Sequence, residues 1–352
     1  MRLEIFTPDL SNRHEISHAI SSQFSDLYNG IGKFSIVLPM DDYNIGLAQI
    51  GALVYIVDRK LCYEVAEVTN DCDANEITLN GYSLNNMLDR RVVANETNIK
   101  TVADIYSMMQ SNLRGLPVVL DSEGVPTDSV EETNVSENGM LSSVIPVLDS
   151  AGLGQKAVFD YKTKTISWKV YKGVNRTSGL QMVAFLRERG TAPALVIDQD
   201  ASEYKNVIYC NAEYNQKTTE TTSDGTEIEK TSKVKFTVTV GDAEGAERRE
   251  TILKYGGDSQ SEGESLASFR GRVTAWATEQ LAELKNRIGF TVNADASELG
   301  TAYNVGDLVW CISLRHNVKF KTRITEAQFS QDANGQSISI TVGDSILTAK
   351  VR

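Results

Sequence analysis

The sequence predicts an α+β chain: two small antiparallel β-barrel domains, a helix-containing middle region, and one long amphipathic helix before the last strands. Three observations predict it. Near both ends apolar residues alternate with polar ones, as at Phe34, Ile36 and Leu38 and again at Val234, Phe236, Val238 and Val240, the period of a half-buried strand. In the middle, Val102, Ile105, Met109 and Leu113 recur at helical spacing. A longer stripe of Leu266, Phe269, Val273, Trp276, Leu281, Leu284 and Ile288 follows 3.6 residues per turn, with Gly289 placed to end it. The expected boundaries are 1–95 for the first barrel, 96–180 for the middle region, 181–257 with 289–352 for the second barrel and its surface hairpin, and 258–288 for the long helix, packed against the middle region.

Composition fits that class. Of 352 residues, 41% are hydrophobic and 23% charged, ordinary for a globular chain, and 6 Pro and 25 Gly argue against a disordered or fibrous one. A formal charge of -12 speaks against a basic nucleic-acid-binding surface. No run of about 18 apolar residues exists, so no membrane-spanning helix is expected. The N-terminal stretch 1–9 lacks an apolar signal core, which implies synthesis in the bacterial cytoplasm. Cys62, Cys72, Cys210 and Cys311 show no metal spacing and are expected as reduced, buried small hydrophobes.

In chain order, residues 2–6 and 33–39 alternate as half-buried strands, the second ending at Pro39. Residues 53–58 and 61–69 are two more strands joined by Arg59-Lys60. In the second, the apolar positions shift phase after Val65, which predicts a β-bulge there. The stretch 70–75 is a polar turn and 76–82 the return strand. Thr101 caps the first middle helix, and Met140–Ser150 is the second, with Pro146 inside it. The acidic stretch 121–138 between them reads as a loop, partly mobile. Gly152-Leu153-Gly154 ends the second helix, and strands at 157–161 and 165–171 turn at Thr163-Lys164. Residues 206–210 form another strand, 216–232 a long polar hairpin tip, and 256–264 a flexible link. The tail is β, with Tyr303-Asn304-Val305-Gly306-Asp307 turning into a strand and Asn334-Gly335 forming a hairpin turn.

Three landmarks carry a resemblance. After the strand at 76–82, Gly81-x-x-Leu84-x-x-x-Leu88-x-x-Arg91, with Arg90 beside it and Val92-Val93 following, makes a strand-turn-helix corner. In the middle, a helix, Gly-Leu-Gly, a strand with Phe159-Asp160, a strand ending Val170-Tyr171 and then Gly173-x-Asn175-Arg176-Thr177 follow in order. Toward the end come a long helix, Gly306-Asp307-Leu308-Val309, Arg323-Ile324-Thr325-Glu326 and a Gly-centred hairpin. In this order they resemble phage tail hub proteins, in particular the Gp37-like tail proteins of siphophages and prophages, related to the myophage baseplate hub protein. The family's middle step usually reads Gly-x-Asp-Arg-Thr or Ser; Asn175 stands in the Asp position, so a buried salt bridge from Arg176 is not expected, although an Asn turn remains sound.

The search for chemistry finds no expected catalytic, cofactor or metal residue. His14 and His18 are four apart, the spacing of one helix face, but no third ligand is near them, and the remaining histidine is His316. Gly263-Glu264-Ser265-Leu266-Ala267 follows a polar link instead of a strand, so Ser265 reads as a residue near a helix start and not as a nucleophile. Asp71-Cys72-Asp73-Ala74-Asn75 begins like a calcium loop, but Glu76 occupies the place of the required Gly and Tyr82 that of the bidentate Glu.

The resemblance implies a structural, non-enzymatic hub of a phage, prophage or tailocin tail baseplate. The implied assembly is a homotrimer whose two barrels per chain give six similar units. It would join a hexameric tail tube or distal tail ring to a trimeric tail tip, spike or fibre and leave a lumen for DNA or the tape measure protein. Specific nucleic-acid binding and a membrane span are not implied. The alternatives are a tail-associated cell-wall hydrolase, for which no room is expected before Arg352, and a carbohydrate- or receptor-binding tail module, whose exposed aromatic cluster is not seen in the pattern.

Overall fold

The computed structural model describes residues 1–186, 194–200, 204–221, 227–257, 259–261, 263–284, 287–293, 298–315 and 318–350. Packing divides the chain into Met1–Ile197 with Phe290–Arg352, and Asp198–Gly289.

The first unit opens with β1 (Leu3–Phe6), β2 (Arg13–Ile16), β3 (Ser21–Leu27), β4 (Lys33–Pro39), α1 (Asp42–Leu47), β5 (Leu53–Ile56), β6 (Leu61–Asp71) and β7 (Glu76–Ser83). Phe34, Ile36 and Leu38 point inward from β4, as their alternation requires. The bulge expected after Val65 is a register shift between Val65 and Glu67. All four residues of β1 are buried, unlike the half-buried strand expected: on one face the Phe6 ring packs on Phe159. Glu4 tolerates that position because Arg2 and Arg13 both reach its carboxylate.

A short 3-10 turn, Leu84–Arg90, leads to β8 (Val92–Val93), β9 (Thr97–Thr101), α2 (Val102–Asn112), β10 (Val118–Leu120), β11 (Ser129–Val135), β12 (Asn138–Gly139), α3 (Met140–Ser150), β13 (Gly154–Asp160) and β14 (Thr165–Tyr171). Thr101 caps α2 through a capping box with Asp104. The stretch expected as a loop instead holds β11, antiparallel to β9, with Val130 and Val135 as its inward anchors. One apolar core gathers Leu84, Leu88, Ile105, Met109, Met140, Leu148 and Trp168.

Past β15 (Ala184–Leu186) and β16 (Ala194–Asp200), the second unit contains β17 (Val207–Thr221), β18 (Glu227–Val240), β19 (Glu250–Lys254) and α4 (Leu266–Glu283). Its sheet runs β18-β17-β19. Phe269, Val273 and Ala277 of α4 pack on Ile208, Cys210, Ala212 and Phe236 of that sheet. The long helix was expected against the middle region, and 181–257 was expected to share a barrel with the tail. Here its apolar stripe meets β17 and β18, which form a core of their own. Ser265 is its N-cap, accepting a bond from the Ser268 amide. The helix ends at Glu283, short of the expected Gly289, because Arg287-Ile288-Gly289-Phe290 opens a strand, β20 (Arg287–Asn293), that pairs with the last strand.

Then come β21 (Leu308–Ser313), β22 (Val318–Asp332) and β23 (Gly335–Lys350). The main sheet has 13 strands along the path β16-β20-β23-β22-β3-β4-β7-β6-β5-β1-β2, with β15 and β21 beside it. The fold is thus mostly β with few helices, but among the described residues this path is open and closes no barrel. The cause is β3, whose Phe24 lies opposite Phe34 of β4 on one side and Phe329 of β22 on the other. The first strands therefore continue into the last ones instead of curling back on themselves.

Candidate functional site

Two of the motifs singled out in the sequence meet inside the first unit. After β14, the backbone of 173–177 lies along the turn before β21: the Leu308 amide donates to the Val174 carbonyl at 2.9 Å, and the Arg176 amide to the Leu308 carbonyl at 2.8 Å. Approach is this close because both contact residues are glycines. A Cβ on Gly173 would stand 1.7 Å from the Gly306 carbonyl oxygen, and Gly306 itself has φ +96.

Asp307 holds the junction. Its side chain is 3% exposed and that of Arg176 13%. It accepts from the Arg176 guanidinium, from the Val174 amide at 2.9 Å and from the Asn304 amide at 3.0 Å. A buried carboxylate is stable only when paired and bonded in this way. The expectation that Arg176 would lack a buried acid is therefore corrected: the acid comes from Asp307, not from position 175. Asn175 forms the Asn turn instead, its side-chain oxygen accepting from the Thr177 amide and hydroxyl.

Tyr28, just beyond β3, ties the same junction to the sheet. Its hydroxyl donates to the Gly152 carbonyl at 3.0 Å, and the Arg323 guanidinium stacks 4.9 Å from its ring centroid. Arg323 also donates to the Gly306 carbonyl. Below, Gln155 is fully buried, yet satisfied: it accepts from Trp168 and Asn85 and donates to the Gly30 carbonyl.

The 84–91 corner is equally engaged. Arg90 pairs with Glu64, and Arg91 donates to the carbonyls of Leu113 at 3.1 Å and Arg114 at 3.4 Å. Asp89 caps α3, accepting from the amides of Leu141 and Ser142. Both arginines are thus braces within the chain and not free surface charges.

The solvent face of the main sheet carries a trough of about 650 Å³ across β22, β3, β4, β7 and β6. It is lined by the amides and hydroxyls of Gln23, Ser25, Ser35, Asn80 and Gln328, by Lys33, Glu67 and Glu326, and by the exposed ring of Tyr82. Asn80 donates to Glu67 at 3.3 Å and Gln328 to Glu326 at 3.0 Å. Beneath it, Phe24, Phe34 and Tyr63 pack ring on ring. Ser22, Phe24 and Asp26 turn the other way, so this face is set by strand alternation alone.

The remaining residues weighed for chemistry are dispersed. His14 lies in β2, a strand, so it does not share a helix face with His18; its ring meets Tyr43. His316 lies outside the described residues. Among the described residues no three His, Cys, Asp or Glu converge on a metal position. Asp71 Oδ1 accepts from the amides of Asp73 and Ala74, an ordinary turn. Cys62, Cys210 and Cys311 are buried, and burial pushes the Cys311 thiol up to about 12; Cys72, expected inside, is exposed. Among the described residues no helix is long and apolar enough to cross a membrane.

The chain's comparisons agree with these landmarks. The family model described as "Siphovirus ReqiPepy6 Gp37-like protein" matches residues 2–104 and 137–344. The chain belongs to this family of siphophage tail proteins. The fold is similar to a tail protein from Neisseria meningitidis MC58, with TM-score 0.59 at 14% identity over 97% of this chain and 96% of that one. It is also similar to the 43 kDa tail protein of prophage MuSo2 from Shewanella oneidensis, with TM-score 0.59 at 13% identity over 97% of this chain and 98% of that one. At such identity the likeness speaks to fold. No curated protein matches the chain. The two stretches that the family model covers include both motifs of the junction, Gly173 to Thr177 and Tyr303 to Val309.

Proposed function

We propose that this tail protein is a non-enzymatic hub of the baseplate: a homotrimeric ring between the hexameric tube or distal tail ring and the trimeric tip, spike or fibre. Its place is the virion tail, and its lumen admits DNA or the tape measure protein. The observation that supports this reading is the main sheet. It runs unbroken from the first strands into the last through β3 and β22, and amides, hydroxyls and charges of both signs line most of its open face. A wall of mixed polar side chains, with one cation and two anions among them, offers a passing polymer no dense field of one sign. On this reading the trough faces the lumen. A three-fold ring satisfies a three-fold tip directly.

The test is the mass of the purified full chain by light scattering, or its symmetry in the particle. Three copies are expected. A stable dimer, or a ring of six copies of this chain, overturns the assignment.

A further inference from the structure

In the second unit, β17 outruns the strand beside it. β19 pairs with it in parallel only as far as Asn211 opposite Lys254. The Tyr255 amide then donates to the Asn211 carbonyl at 2.9 Å, and the chain leaves the sheet. At Asn215 the Gln260 side chain takes the place that a further strand would hold. Its Oε1 accepts from the Asn215 amide at 2.8 Å, and its Nε2 donates to the Asn215 carbonyl at 3.1 Å. Between these two points lies Glu213. Strand alternation turns its amide and carbonyl to the same open edge as those of Asn211 and Asn215. Among the described residues nothing bonds them there.

A groove of about 730 Å³ lies against this edge, lined by Gly257, Ser259 and Gln260 of the returning chain. On the α4 side it reaches Phe236 and Phe269, both buried. On the other face, the register sets Lys235 opposite Glu213, Lys233 opposite Asn215 and Lys254 opposite Asn211. Lys233 and Lys235 share the single Glu213 carboxylate, at 3.7 and 3.4 Å, and their side chains are 71% and 78% exposed. Three lysines around one glutamate leave the groove positive in a chain whose formal charge is -12.

We propose that this groove is a strand-addition site for an extended acidic segment of another protein, whose backbone pairs with β17 at Glu213 and, by displacing the Gln260 amide, at Asn215. The entering backbone supplies the bonds that Glu213 lacks and replaces those that Gln260 makes. Its alternate side chains point to opposite faces. Apolar ones meet Phe269, and carboxylates meet the lysines that Glu213 alone does not neutralise. Until then Gln260 covers the edge, which keeps an open strand from pairing at random. The site goes beyond the hub assignment and does not depend on the number of copies in a ring.

The probe is a fluorescein-labelled peptide of alternating Glu and Val, titrated against the full chain by anisotropy. Saturable binding that weakens with salt is expected, and the same peptide with Lys for Glu should not bind. N-methylating the peptide amides that face β17 should weaken binding about tenfold, since it removes ladder bonds and leaves the charge. Lys233→Gln and Lys235→Gln should each weaken it by up to about fivefold, the worth of an exposed ion pair. Gln260→Ala should strengthen it, because the entering strand no longer displaces a bonded amide. Melting temperatures check that each variant stays folded. No binding up to about 1 mM, equal binding of the N-methylated peptide, or weaker binding in a folded Gln260→Ala chain each overturns the site. Dissociation of the chain's own oligomer by the peptide would overturn the separate partner and put a second copy's strand in the groove. The mass of the wild-type chain alone decides the trimer, so failure of this site and failure of the ring are separate results.

Discussion

At the scale of single residues, Asp307 is the group whose removal has the clearest consequence. It is nearly buried and serves a guanidinium and two backbone amides. Asp307→Ala leaves Arg176 with its charge in a dry junction, and breaking such a pair costs about 3–5 kcal/mol. The expected result is a matching fall in the denaturant midpoint of the first unit; a loss under about 1 kcal/mol would show that water replaces the carboxylate freely. The sequence pointed to the two motifs but not to their meeting. Position 175 was read as the place for Arg176's acid because the resemblance puts an Asp there, whereas the acid that serves Arg176 is Asp307, far along the chain, where no local pattern links it to Gly173-x-Asn175-Arg176-Thr177. β3 was invisible for a related reason: within Ser21–Leu27 only Phe24 and Leu27 are strongly apolar, so the strand did not stand out.

At the scale of elements, the corner after β7 separates packing from charge. Leu88 is fully buried in the core that joins the 3-10 turn to α3, and Leu88→Ala should cost about 2–5 kcal/mol. Arg90 and Arg91 act as braces, one on Glu64 and one on the carbonyls that end α2. Their double replacement by Ala should lower stability by about 1–4 kcal/mol, from an exposed ion pair at 0–1 and two hydrogen bonds at 0.5–1.5 each. Melting temperatures of both variants check this. An unchanged melting point with failed assembly would instead put the arginines at a subunit contact. Elements with clean periodicity were legible: β4, α2, α3, the β13–β14 hairpin and the inward row of β18 all follow from their apolar spacing. Elements held by neighbours were not. β2 reads Arg-His-Glu-Ile and β11 has only two valines, yet β1 and β9 supply the pairing that the local sequence does not announce. The long stripe misled at its end, since Leu284 and Ile288 continue the helical period while Arg287–Asn293 also alternates, and pairing with β23 decides in favour of strand.

At the scale of the whole molecule, the trough turns the hub reading into a statement about passage. If its polar floor lines the lumen of a three-fold ring, three copies of Ser35 face one channel, each between Gln23 and Asn80 on neighbouring strands. Ser35→Trp places three large rings in that channel while leaving Phe24, Phe34 and Tyr63 below it untouched, because the side chain points away from them. The variant should fold with the wild-type melting point, form the same trimer by light scattering and enter particles. Those particles should deliver their contents poorly. Asp73→Trp, at the exposed turn between β6 and β7, controls for adding a tryptophan anywhere on the surface. A Ser35→Trp trimer that assembles and delivers as well as wild type would mean that the trough does not face the lumen. A variant that folds but no longer trimerises would move the same face to a contact between copies. The measurement therefore assigns the face as well as testing it, because the polar wall is a surface formed jointly by the first strands and the last.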